Sequence, residues 1–255
     1  MAAFDLLIKR AKIFDGHGGD PTIGDLALKN GCVSARGRDL PDDIADEVID
    51  AEGLWLTPGL LDIHTHYDLE VELAPGLPES VRHGTTTAVV ANCSLGLAYG
   101  ALRKGGDDPV VDCFARVENV PKPVLARVAD RATWTGSDEY LAHLDSLSLG
   151  PNIAPMVPYS MLRIAVMGVA ASVTRAASEA EIAEMERLLE KAMREGYPGF
   201  STDGLPFHYL ANDPHRDKKI PSQHAPLAEL RRLTEIVRRY RSEEHTSELQ
   251  SLAYI

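Results

Sequence analysis

The rhythm of apolar and polar positions changes near residue 56. Before it, apolar residues recur at every second position. Phe4, Leu6 and Ile8 alternate along residues 4–14 and predict a strand with one buried face. Leu26 and Leu28 are separated from Val33 and Ala35 by Asn30-Gly31, a dipeptide suited to a two-residue turn with positive φ. Residues 25–35 are therefore predicted as a hairpin. Short strand pieces at 47–50 and 54–56 flank Glu52-Gly53. Residues 1–56 read as part of a small β-sandwich.

Beyond residue 56 the pattern becomes strand–helix alternation, the signature of a parallel sheet. The first strand is carried by Pro58-Gly59-Leu60-Leu61-Asp62-Ile63-His64-Thr65-His66, with Leu60, Leu61 and Ile63 expected to be buried. A short helix at 78–83 ends at Gly84. Residues 85–93, rich in Thr and Val, form the second strand. Residues 95–135 contain Gly and Pro and read as an irregular insertion over one end of the sheet. Ser137 is expected to cap a helix reaching about Leu147, with Tyr140, Leu144 and Leu147 on one face. Residues 152–158 supply the third strand.

Ser178 and Glu181 have capping-box spacing and open the clearest helix. Its inward positions are Ile182, Met185, Leu188, Leu189 and Ala192, and Gly196 ends it. Gly199–Thr202 is the fourth strand, followed by a polar loop over 203–224. Pro226 is expected at the first helical position, with Leu227, Leu230, Leu233, Val237 and Tyr240 on one face. Residues 57–240 thus read as four βα units, the first half of an α/β (β/α)8 TIM-type barrel.

Charge and composition narrow the function classes. A formal charge of −12 over 255 residues argues against nucleic acid or an anionic membrane as partner. No apolar run reaches the ~18 residues of a membrane span. Asp5, Lys9 and Arg10 interrupt the N-terminus where a signal peptide would be apolar, so the expected location is the cytoplasm. The three cysteines, at positions 32, 93 and 113, make no disulfide framework.

The candidate chemistry begins at His64 and His66. On a strand, residues i and i+2 point the same way and lie roughly 6–7 Å apart. That spacing suits two imidazoles converging on a divalent metal at about 2.0–2.1 Å each. The competing reading is two polar residues on a solvated strand face. Asp62 and Asp68 share parity with the histidines and could orient an imidazole or, equally, cap nearby backbone.

At this stretch the chain resembles the amidohydrolase superfamily of metal-dependent (β/α)8 hydrolases. Leu7-Ile8-Lys9-Arg10-Ala11-Lys12-Ile13-Phe14-Asp15-Gly16 is similar to the family's opening strand. His64-Thr65-His66-Tyr67-Asp68, His83-Gly84-Thr85-Thr86-Thr87, Asn92-Cys93-Ser94 and Gly199-Phe200-Ser201-Thr202 together resemble the D-aminoacylase (N-acyl-D-amino-acid deacylase) branch. The resemblance covers about residues 4–240.

The resemblance implies that His64, His66 and Cys93 hold Zn2+, as one ion or two. It implies hydrolysis of an N-acyl-D-amino acid to a D-amino acid and a carboxylate by metal-activated water. Two further histidines and an aspartate general base belong to later barrel strands in this family, so residues 1–255 alone are expected to be inactive. A hydantoinase- or dihydroorotase-like cyclic amidase and a non-catalytic barrel module are the alternatives. The cyclic amidases use a lysine on the fourth strand. Gly199–Thr202 offers none, and Lys218 and Lys219 fall in the loop. Cys32 and Cys113 read as structural. His208, His215 and His224 read as solvated loop residues beside the substrate entrance.

Arg241-Ser242-Glu243-Glu244-His245-Thr246-Ser247-Glu248-Leu249-Gln250-Ser251 breaks the preceding helical pattern. It resembles the in-frame translation of a DNA-sequencing adapter. Residues 241–255 are accordingly expected to be a non-native tail, and His245 is not counted among the ligands.

Overall fold

A computed structural model describes residues 2–240 and the backbone of Glu243–Thr246. The rest of the expected tail lies outside the described residues. The chain divides into two compact units, Met1–Gly59 and Leu60–Ile255.

The first unit is a five-stranded sheet built around β1 (Phe4–Ile13). On one side β1 pairs antiparallel with β2 (Thr22–Lys29), which pairs in turn with β3 (Cys32–Gly37). On the other side β4 (Ala45–Asp50) and β5 (Trp55–Leu56) run parallel to β1. The predicted hairpin turn is present, with Asn30 at φ 50° and Gly31 at φ 74°. Its core is small: Ala11, Ile13 and Ala51, with Ile8, Leu26 and Leu56 packed against them.

The second unit holds two three-stranded parallel sheets. β6 (Leu60–Asp62) pairs with β7 (Thr85–Val90), and β7 with β8 (Asn152–Pro155). After Met156 the chain resumes as β9 (Val157–Pro158), which pairs with β10 (Gly199–Thr202). β10 then pairs with β11 (Glu243–Thr246). The third strand therefore comes in two pieces facing different neighbours. Pro155 and Pro158 carry no N–H to donate, which breaks a continuous ladder there.

Nine helices of this unit fall among the described residues, beginning with α1 (Tyr67–Val71) and α2 (Pro78–Arg82). Residues 95–135 are not an irregular cover. They contain α3 (Pro109–Val117) and α4 (Lys122–Ala129), and Leu95, Leu97, Ala98 and Tyr99 are fully buried ahead of them. Asp108 caps α3 by accepting from the Val111 N–H at 3.3 Å. This segment supplies Val110, Cys113, Phe114, Leu125 and Val128 to the main core.

α5 (Ser137–Asp145) has Gly136 at its N-cap, not Ser137. The Ser137 hydroxyl is buried instead, accepting from Tyr99 Oη at 2.9 Å and donating to Glu195 at 2.5 Å. α6 (Tyr159–Met167) and α7 (Val169–Ser172) follow β9. α8 (Glu179–Arg194) carries the full capping box expected of Ser178 and Glu181, and Ile182, Met185, Leu189 and Ala192 are buried. α9 (Leu227–Arg239) starts one residue later than predicted, with Pro226 as N-cap. Leu233, Ile236 and Val237 form its buried face, whereas Leu227 is exposed. A buried Arg163–Glu229 ion pair, to which Tyr159 Oη donates at 2.7 Å, ties α6 to α9.

The expectation of a buried first strand does not hold. Leu60, Leu61 and Ile63 are 58 %, 57 % and 56 % exposed. β6 has a partner on one side only among the described residues. No helix among them is long and apolar enough to cross a membrane.

Candidate metal centre

β6 ends at Asp62, so His64 and His66 stand on the turn beyond the strand and not on it. His66 is the N-cap residue of α1. The turn nevertheless brings the imidazoles together, with ring centroids 6.1 Å apart and planes at 72°. Asp62 Oδ1 accepts from the backbone N–H of His64 at 3.5 Å, which is the capping role. Thr65, between the histidines, turns into the core and donates to the Val89 carbonyl at 2.9 Å. The buried Asn92 amide donates to the carbonyls of Thr65 and Val89, each at 3.2 Å. These bonds stitch the ends of β6 and β7 into one frame.

Cys93 likewise lies beyond its strand, since β7 stops at Val90. Its turn is built from left-handed residues: Ala91 at φ 64°, Cys93 at 52° and Ser94 at 60°. Non-glycine residues there cost roughly 1–2 kcal/mol each. The surrounding hydroxyls hold the turn in place. Ser94 Oγ lies 2.7 Å from Ser160 Oγ and 3.0 Å from Ser222 Oγ, and Ser201 donates to the Ala91 carbonyl at 2.5 Å. The ends of the first four strands are thus drawn to one point.

The outcome is a three-residue cluster. Cys93 Sγ lies 3.4 Å from His64 Nε2. One ligand atom from each of His64, His66 and Cys93 falls within 4.8 Å of the other two. A thiolate at about 2.3 Å and an imidazole at about 2.0–2.1 Å from a tetrahedral ion would be about 3.5 Å apart. Burial, then the neighbouring His64 and His208, pull the His66 pKa down to about 3. Its imidazole is neutral at pH 7 and offers a lone pair. Two imidazoles and a buried cysteine sulfur are donor types that suit zinc.

The site contains groups that the pattern did not flag. Glu118, at the end of α3, places Oε1 3.1 Å from His66 Nε2. Asp203 follows β10 directly, and its Oδ1 lies 3.0 Å from His208 Nδ1, with both side chains buried. Gln223 donates to the second Asp203 oxygen at 2.8 Å. His208 is therefore not a solvated loop residue. His224 is half-buried, with a ring nitrogen 3.2 Å from the Lys219 carbonyl, and His215 is also partly covered. The position of Asp203 at a strand's C-terminal end was a usable signal. Nothing in the spacing pointed to Glu118.

The other candidates sort themselves by burial. Asp68 is fully buried, which pushes its carboxyl up to about 7. Burial also raises the Cys113 thiol, an inert core position, and Cys32 is exposed. A cavity of about 520 Å3, lined by Leu102, Trp134, Ile164 and Met167 among others, includes none of the three candidate ligands. Convergent donor chemistry, not volume, marks the centre.

Parallel βα units with donor side chains gathered at the C-terminal strand ends define a barrel-type protein with a candidate metal centre. Residues 47–248 match the sequence model of the amidohydrolase family, and the chain belongs to that family. It is 39 % identical to an uncharacterised protein of Mycobacterium bovis, over 92 % of this chain and 38 % of that one. It is 35 % identical to an N-acyl-D-aspartate deacylase of Alcaligenes xylosoxydans xylosoxydans, over 79 % of this chain and 37 % of that one. A crystal structure of N-acyl-D-glutamate deacylase from Bordetella bronchiseptica, complexed with zinc and a phosphonate inhibitor, superposes with a TM-score of 0.73. Identity there is 28 %, covering 95 % of this chain and 44 % of that one. The chain spans under two-fifths of the length of the curated relatives it matches.

Proposed function

We propose that the protein is a zinc-dependent hydrolase of N-acyl-D-amino acids, releasing a D-amino acid and a carboxylate, with His64, His66 and Cys93 as metal ligands. The observation that carries this reading is the mutual approach of the three ligand atoms within 4.8 Å. A divalent ion there supplies Lewis-acid polarisation of the scissile carbonyl and an activated water. The chain's own residues do the positioning. Asn92 locks the His64–His66 turn to β7, and Ser94, Ser160 and Ser222 hold the Cys93 turn against the start of α6 and the turn at Pro221–His224.

The substrate class follows the relatives named as deacylases of N-acyl-D-aspartate and N-acyl-D-glutamate. The chain spans 37 % and 44 % of those two proteins, and residues 1–255 by themselves are proposed to bind metal without turning over substrate.

Metal content tests the centre. Protein purified without chelator is expected to carry zinc, and Cys93→Ser or His64→Asn to weaken zinc binding by at least about 100-fold. A zinc-free wild-type protein that takes up none on titration would remove the proposal. Turnover of N-acetyl-D-methionine against hydantoin by the complete protein tests the substrate class. Reaction with hydantoin alone would replace the deacylase reading with a cyclic amidase.

A further inference from the structure

We infer that the cavity between residues 100–109 and the corner joining α6 to α7 is a binding site for a free α-amino acid with a large apolar side chain. The inference stands apart from the metal-centre reading, because none of the three candidate ligands lines this cavity.

The walls select an apolar body of limited size. Leu102, Trp134, Ile164 and Met167 line a space of about 520 Å3, within the roughly 300–1,000 Å3 of small-molecule sites. At roughly 30 Å3 per water-sized group, it takes about 17 non-hydrogen atoms, which suits a free amino acid and not a peptide. Both walls are fixed in place. A Cβ on Gly100, at φ +63°, would stand 2.5 Å from the Met161 carbonyl oxygen, so this segment lies flush on α6. Trp134 is buried, donates its indole N–H to the Leu97 carbonyl at 2.5 Å and stacks on His143 with ring centroids 4.3 Å apart.

The rim selects a zwitterionic head. Lys104 and Asp107 both line the cavity and pair across a tight turn. The Lys104 N–H donates to the Asp107 carbonyl at 3.3 Å, and the Asp107 N–H to the Lys104 carbonyl at 3.0 Å. Residues that exchange both backbone bonds set their side chains on one side of the ribbon. Yet among the described residues neither the Lys104 ammonium nor the Asp107 carboxylate makes an ion pair or a side-chain hydrogen bond. Arg103 beside them is already engaged, with Asp108 at 2.7 Å and with Asp130. Two opposite charges, side by side and unengaged at the mouth of an apolar space, complement a carboxylate and an ammonium carried on one carbon. A phosphate or a fatty acid would bring a second negative charge against Asp107.

The chain has two tryptophans, Trp55 and Trp134, so in Trp55→Phe protein the emission reports the cavity wall alone. The test titrates that protein with phenylalanine, 3-phenylpropanoate and phenethylamine, following Trp134 emission with calorimetry alongside. Phenylalanine is expected to bind saturably, and the two singly charged analogues about 5- to 10-fold more weakly. Lys104→Met and Asp107→Asn, both at exposed positions, should weaken phenylalanine binding by about the same factor. Asp107→Asn should also erase the advantage of phenylalanine over 3-phenylpropanoate. Ala165→Phe, which fills the cavity, should abolish binding, whereas Cys93→Ser should bind phenylalanine as the parent does. Absence of saturable binding overturns the inference, and so does 3-phenylpropanoate binding as tightly as phenylalanine. Binding retained in Ala165→Phe places the ligand elsewhere and overturns it as well. Binding lost in Cys93→Ser moves the ligand to the metal centre, which overturns this inference and leaves the metal-centre reading in place.

Discussion

The first and fourth strands of the second unit, β6 and β10, meet opposite environments. β6 leaves Leu60 and Leu61 more than half exposed, whereas every residue of β10 is buried. β10 lies between β9 and β11, and Phe200 packs on Tyr159 of α6 with ring centroids 5.1 Å apart. β6 has β7 on one side only among the described residues. Apolar content therefore does not decide burial: neighbours on both edges and a covering helix do. The turns after both strands still carry site residues, His64 and His66 after β6 and Asp203 after β10, so the site does not depend on how well its strand is covered.

The largest difference between the two strands should appear at Phe200. Phe200→Ala removes a fully buried ring from the main core. It is expected to cost roughly 3–5 kcal/mol in urea unfolding. A loss under about 1 kcal/mol would mean that β10 is no better packed than β6.

In the first βα unit, burial resides in the helix after the strand. Asp68 on α1 is completely buried, and its carboxyl titrates near 7 instead of 3.8. The folded protein thus keeps a proton that the unfolded chain has released over that interval. Its stability falls as pH rises from about 4 to about 7 and stays reduced above. Asp68→Asn removes this penalty. Relative to wild type it should gain up to about 4 kcal/mol at pH 8 and nothing from this source below pH 4. Chemical unfolding at the two pH values checks it; a difference that does not depend on pH would leave Asp68 outside this account.

What was readable in the sequence was local chemistry. Asn30-Gly31 specified its turn, Ser178 and Glu181 their capping box, and Gly199–Thr202 its strand, because each depends on neighbours in the chain. His64, His66 and Cys93 were found by motif, but for a reason that the geometry replaces. They sit on turns after the strands, so strand alternation does not bring them together; left-handed backbone at residues 91, 93 and 94 does. That conformation depends on hydroxyls from Ser160, Ser201 and Ser222, which lie 66 to 128 residues away from Ser94 or 110 from Ala91. The cores of 95–99 and the approach of Glu118 to His66 are likewise long-range effects with no local signature.

The hydroxyl frame gives an intermediate prediction. Ser201 on β10 donates to the Ala91 carbonyl in the turn that leads to Cys93. Ser201→Ala leaves that buried carbonyl without this donor and should cost about 1–3 kcal/mol. Because the turn also presents a ligand, zinc affinity should fall in the same variant. Loss of stability with zinc affinity fully retained would separate the turn's packing from its role at the site.

Leu61 provides the smallest effect and the sharpest check on the comparison. Its side chain is 57 % exposed on a strand whose backbone register, Leu61 opposite Thr87, is set by β7. Hydrophobic burial scales with area removed from water, so an exposed Leu contributes little to folding. Leu61→Lys is expected to change stability by no more than about 0.5 kcal/mol. Leu60, Leu61, Ile63 and Val81 are all exposed apolar residues in this one βα unit. Exposed apolar edge strands favour pairing with other chains, and lysine is the residue that natural edges use against it. The same substitution should therefore lower concentration-dependent association in sedimentation measurements while leaving unfolding almost untouched. A destabilisation of 2 kcal/mol or more, on the scale of a buried Leu, would show that β6 is covered as β10 is, and the contrast between the two strands would disappear.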